Sequence, residues 1–113
     1  MLNDGNVQAM MDLIVDNSAF GVGPEVIADL FDRLVWILAD NGAGLHRVVR
    51  GWLDDGRDFS RLRIALAMQE VFLYEQRSVM QDVFIRLTVR YPELDAPCKR
   101  ILAKWDAQHH PNP

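Results

Sequence analysis

Pro24-Glu25-Val26-Ile27-Ala28-Asp29-Leu30-Phe31-Asp32-Arg33-Leu34-Val35-Trp36-Ile37-Leu38-Ala39-Asp40 is the clearest helical stretch in the chain. Proline suits a first turn, where its missing N–H would have no intrahelical partner, and Glu25 favours the positive end of the helix dipole. Asn41-Gly42 reads as the stop. On a helical wheel Ile27, Leu30, Phe31, Leu34, Ile37 and Leu38 share one side, which is the expected core face. Glu25, Asp29, Asp32, Trp36 and Asp40 gather within roughly 80° of one another on the opposite side.

Helices extend outward in both directions from this stretch. Toward the N-terminus, Val7, Met10, Met11, Leu13, Ile14 and Val15 predict a helix from about Asn6 to Asp16, capped by Asp4 or Asn6. The loop Asn17-Ser18-Ala19-Phe20-Gly21-Val22-Gly23 follows it. Toward the C-terminus, a short helix covers about Gly44 to Leu53, with Leu45, Val48, Val49 and Trp52 on one side and His46, Arg47 and Arg50 on the other. From Asp58 or Ser60, the residues Leu62, Leu66, Leu73, Met80, Phe84, Leu87 and Tyr91 stay in helical phase until Pro92. That phase predicts one continuous or kinked helix of about thirty residues, roughly 45 Å long. A break near Glu75 to Ser78 is the competing reading, because Ser78-Val79-Met80-Gln81 resembles a capping box. A second apolar set, Ile64, Val71, Ile85 and Val89, lies on its other side, as expected of a central helix. Gln69 and Gln76 interrupt its stripe as structural polar residues. The last helix runs from about Ala96 to Gln108, with Asp95 as its cap and Pro97 in its first turn. The expected fold is therefore all-α: a single-domain compact bundle of about five helices with a long central helix. It would span residues 1–108, with a disordered C-terminal tail at 109–113. Asp40-Asn41-Gly42 and Asp54-Asp55-Gly56 begin two similar helix-to-helix corners.

Composition narrows the function classes. The chain has 113 residues, half of them hydrophobic and 25% charged, which is the profile of a folded domain. One cysteine, Cys98, excludes an internal disulfide framework and cysteine-rich zinc sites. No apolar run approaches the ~20 residues of a membrane span. Met1-Leu2-Asn3-Asp4 lacks a secretory signal's basic and apolar regions, so a cytoplasmic protein without membrane contact is expected. The formal net charge is -4. It is unevenly spread: residues 1–45 hold seven acids and Arg33, while the remainder holds nine acids and eleven bases. Nucleic acid is an unsuited partner for this balance. His46, Arg47, Arg50, Arg57, Arg61 and Arg63 form a small basic region, interleaved with Asp54, Asp55 and Asp58.

Catalytic constellations are missing from the sequence. There is no glycine-rich phosphate loop and no paired-histidine metal motif. His46 reads as a solvated surface residue, and His109 and His110 fall in the tail. Cys98 lies in a helix first turn beside Lys99, but no histidine is near it in sequence to serve as base. Asp54, Asp55 and Asp58 lack the spacing of a calcium loop. The expectation is a protein that is not an enzyme, with no catalytic residue, metal or cofactor. It would bind a protein, one of basic character, through Glu25, Asp29, Asp32, Trp36 and Asp40. Its most concrete form is a stoichiometric inhibitor of the immunity-protein or antitoxin type that occludes a basic toxin surface. This rests on physical suitability, not homology. The alternative is a structural helical subunit or chaperone that shelters an apolar partner segment, the second face of the long helix serving a partner or a homo-oligomer. A nucleic-acid or small-molecule-binding regulator is the third.

Overall fold

A computed structural model describes residues 3–68 and 72–109. These residues are all-α: α1 (Asp4–Asp16), α2 (Pro24–Val35), α3 (Ala43–Asp55), α4 (Phe59–Ala67), α5 (Arg77–Arg90) and α6 (Asp95–His109), with a 3-10 turn at Pro92–Leu94 leading into α6. Among the described residues no strand occurs, and no helix is long and apolar enough to cross a membrane. Gln69, Val71 and residues 110–113 of the expected tail lie outside the described residues, whereas His109, expected in the tail, is the last residue of α6 and stacks on Trp105. Contacts gather into two units, Met1–Leu73 and Tyr74–Pro113.

In the first unit α1 packs on α3, α3 on α4, and α2 on both α3 and α4. The Asn3 side chain caps α1 by accepting from the Asn6 N–H at 2.9 Å, so this helix starts earlier than its apolar pattern suggests. Asp58 caps α4 in the same way, accepting from the Arg61 N–H at 3.1 Å. Val7, Met11, Phe31, Leu45, Val49 and Leu62 are fully buried. α4 is apolar over most of its girth, with Leu62, Ile64, Ala65 and Leu66 all buried.

One charged side chain links three of these helices. Arg61 of α4, only 16% exposed, donates to Asp12 at 2.9 Å and Asp16 at 3.0 Å on α1, and to Asp58 at 2.9 Å. Its guanidinium also lies 5.6 Å from the Trp52 ring centroid of α3. Burial works against the charge, but the acids outweigh it and hold Arg61 more firmly protonated than usual.

The long central helix is not formed. α4 stops at Ala67, Met68 adopts an extended backbone (ψ 138°), and the next helix among the described residues begins at Arg77. The phase survives because both pieces are amphipathic in register, yet each piece fills its own unit: Leu62 and Leu66 in the first, Met80, Phe84 and Leu87 in the second. The break falls earlier than the capping box at Ser78, and Gln76 precedes α5 without a side-chain cap. In the second unit α5 packs against α6 and the 3-10 turn. Arg77 clamps Asp106 with two hydrogen bonds, at 2.7 and 3.1 Å. Ile85 and Val89, expected to be covered, are exposed on α5.

The two corners do share a device, since Gly42 (φ 81°) and Gly56 (φ 68°) both take the left-handed conformation. Gly44 serves a different need. A β-carbon there would lie 2.9 Å from Asp4 Oδ1 and 3.1 Å from Asp40 Oδ2. Gly51, mid-helix in α3, has open space around the same position. Gly44→Ala should therefore cost about 1–3 kcal/mol through overpacking. Gly51→Ala should instead stabilise by about 0.5–1 kcal/mol, because alanine loses less backbone entropy in a helix. Urea unfolding of the two variants checks the opposite signs. In the same assay Arg61→Met should cost about 1–3 kcal/mol, a range held down by the exposure of its acid partners. Arg61→Lys should recover only part of that, since one ammonium cannot reach three carboxylates.

Candidate functional site

α2 is rolled about a quarter turn from the orientation its apolar pattern predicts. The buried residues are Ile27, Ala28, Phe31, Asp32 and Val35, so the core face is displaced toward the acidic side. Val35 explains much of this. A β-carbon on Gly42 would fall 2.8 Å from Val35 Cγ2 and 3.0 Å from Val35 Cα, so the turn after α2 closes directly on this residue. Phe31 meets Trp52 of α3, ring centroids 6.2 Å apart. The helix also ends at Val35 rather than Asp40. Trp36 keeps helical backbone angles, and the Ile37 and Leu38 N–H groups both bond the Leu34 carbonyl at 3.0 Å.

The five acidic-stripe residues consequently part company. Glu25 and Asp29 remain exposed. The Glu25 carboxylate folds back over Gly23 at the start of α2, and Asp29 accepts from Arg33 Nε at 3.0 Å. Trp36 stands out at 76% exposure. Asp32, at 8%, is turned into the protein. Asp40 lies in the turn and caps α3, its two oxygens accepting from the Gly42 and Gly44 N–H groups at 2.9 Å each. Only Glu25, Asp29 and Trp36 thus keep a shared outward face.

The roll also brings out residues expected in the core. Ile37 is 75% exposed, Val26 58% and Leu30 40%. With Trp36 they form an apolar strip along α2 and its continuation, bordered by Glu25, Asp29 and Arg33. Phe20 and Val22, in the loop before α2, are exposed as well. Of the seven large apolar residues exposed in the described part of the first unit, six lie between Phe20 and Ile37, which makes this segment the unit's apolar surface. The wheel held the signal: Val26, Leu30 and Ile37 cluster within about 40°, away from Ile27, Phe31 and Val35, so α2 has more apolar arc than one core contact can cover.

Asp32 and Asp40 lie within electrostatic reach of His46. His46 is half-buried, not the solvated residue expected, and its Nε2 is buried without a hydrogen-bond partner among the described residues. Burial lowers its pKa from the ordinary 6.5, and the nearby carboxylates of Asp32 and Asp40 only partly oppose this. The unfolded chain therefore binds a proton that the folded chain resists. The resulting contribution to stability is present above pH 6.5 and is lost as pH falls through the lower folded value. Wild-type stability should drop between about pH 7 and pH 5, and His46→Gln should flatten that segment of the profile. Urea midpoints at a series of pH values check it.

The basic region is largely neutralised. Arg47 grips Asp4 with two hydrogen bonds, at 2.6 and 2.8 Å, and draws that carboxyl below its usual range. Arg50 pairs with Asp54, and Arg57 with Asp55. A groove of about 600 Å³ runs past Asp4, Gln8, Asp12, Arg47, Gly51 and Trp52, and among the described residues no histidine, cysteine or serine lines it. Cys98 is buried, and desolvation together with Asp95 pushes its thiol up to about 12, so it stays protonated and is no nucleophile. Among the described residues no cluster of three or more histidine, cysteine or acidic side chains is arranged to hold a metal ion.

No protein-family model, curated protein or solved structure matches the chain.

Proposed function

We propose that this chain is a non-enzymatic protein-binding module that docks through the α2 strip of Val26, Leu30, Trp36 and Ile37. Its most concrete form is a stoichiometric inhibitor of the immunity-protein or antitoxin type. The observation that carries the reading is the exposure of Trp36 at one end of a continuous apolar strip. A large aromatic held in water is the residue type from which interface hot spots are built. Glu25 and Asp29 border the strip and complement a partner whose apolar groove is rimmed by basic residues. Asp32 is buried and Asp40 is engaged in capping α3, so neither has a part in the docking.

The apolar content of the strip favours a second reading, a structural subunit or chaperone sheltering an apolar segment of its partner. Salt separates the two. An inhibitor steered by Glu25 and Asp29 loses association rate as ionic strength rises, whereas apolar sheltering does not.

The test begins with partners retained from the source cell by the wild-type chain and lost with the double variant Leu30→Ser, Ile37→Ser. The retained protein is then purified and titrated by calorimetry. The expected outcome is one-to-one binding, weakened at least ~30-fold in the double variant, consistent with ~1–2 kcal/mol for each truncated anchor. Helicity should be unchanged and the urea midpoint should fall only modestly, because Ile37 is 75% exposed and Leu30 40%. Equal affinity of wild type and double variant for the purified partner would remove the strip from the proposal.

A further inference from the structure

We infer that the α2 strip is self-complementary and pairs, about a two-fold axis, with the same strip on a second copy of this chain. The inference rests on the reading of the strip as a docking surface and names a further occupant for it. The order of side chains along the exposed face carries the argument. Glu25, Val26 and Asp29 occupy its N-terminal half, Arg33, Trp36 and Ile37 its C-terminal half, and Leu30 lies between. Two such helices laid antiparallel, with the axis passing between Leu30 and Arg33, place Val26 of each copy against Ile37 and Trp36 of the other. The same register sets Asp29 of each copy opposite Arg33 of the other. Val26 and Ile37 at the two ends of the strip then meet each other, and Asp29 meets Arg33, the self-matching that an isologous interface needs. The helix dipoles oppose as well, which favours the antiparallel arrangement. Within one chain Asp29 and Arg33 already pair at 3.0 Å, both well exposed, so each can turn to the facing helix at little cost.

From Val26 to Ile37 the strip is about 16 Å long. Paired with itself it covers less than the ~1,600 Å² of a standard stable interface, so the dimer is weak and concentration-dependent. It also covers the surface offered to a different partner, so self-pairing and partner binding exclude each other.

Sedimentation equilibrium of the full chain from ~10 µM to ~1 mM tests this. The average mass should rise from one chain toward two. Asp29→Arg and Arg33→Asp should each weaken self-association at least ~tenfold by setting like charges face to face, and the double variant carrying both should restore it to within ~threefold. Circular dichroism should show the three variants equally folded. A chain that stays monomeric at ~1 mM, or a double variant no better than the single ones, overturns the pairing. Monomeric wild type whose partner binding is still lost in Leu30→Ser, Ile37→Ser overturns the pairing alone. Undiminished self-association in that variant overturns the pairing through the strip and leaves the docking of a different partner to its own titration.

Discussion

Val35 lies against Gly42 so closely that a side chain at position 42 would overlap its methyl groups. That contact sets the roll of α2, and most of the molecule's surface character follows from the roll. With Val35 held inward, Phe31 reaches Trp52 and Asp32 is drawn into the interior near His46. Leu30 and Ile37 have nowhere to go but out. The turn that makes the approach feasible depends on Asn41 (φ 57°) and Gly42 (φ 81°) in succession, with Asp40 tying both ends to the start of α3. A short turn with two left-handed residues thus decides which side of α2 meets solvent.

Electrostatics in the first unit is spent mostly on architecture. Of the acids that make the first 45 residues so negative, Asp4 is held by Arg47, and Asp12 and Asp16 by Arg61. These arginines come from the later, slightly basic part of the sequence, so the charge asymmetry along the chain is folded into contacts between α1 and the helices that follow. The forked guanidinium suits this work: Arg47 meets one carboxylate with two nitrogens, and Arg61 serves three acids from one head group. What remains for recognition is the apolar strip and its small acidic border.

Several helix ends were legible in the sequence where proline or a capping acid marked them, whereas the Asn41-Gly42 stop lay beyond the end of α2 at Val35. Pro24 opened α2, Asp58 capped α4, Pro92 closed α5, and Pro97 sat in the first turn of α6. Between Ala67 and Arg77 no glycine or proline marks the end of a helix, and apolar phase alone cannot distinguish one long helix from two aligned short ones. The candidate site was half legible for a related reason. Trp36, Glu25 and Asp29 lie on the outward side as expected. The wheel assumes that a helix buries the centre of its apolar arc, whereas α2 buries one edge of it, including Asp32, because tertiary contacts at Val35 and Phe31 outweigh the average pattern.

The preference for arginine has an outcome beyond geometry. Lys99 and Lys104 carry the only side-chain amines of the chain, and both stand on α6. Enzymes that acetylate or ubiquitinate lysine therefore find no side-chain substrate in Met1–Leu73. The ion pairs that join α1 to α3 and α4 are built wholly from arginine, which keeps its charge even when methylated. The scaffold beneath the α2 strip is for that reason insulated from the commonest charge-erasing modification in the cell.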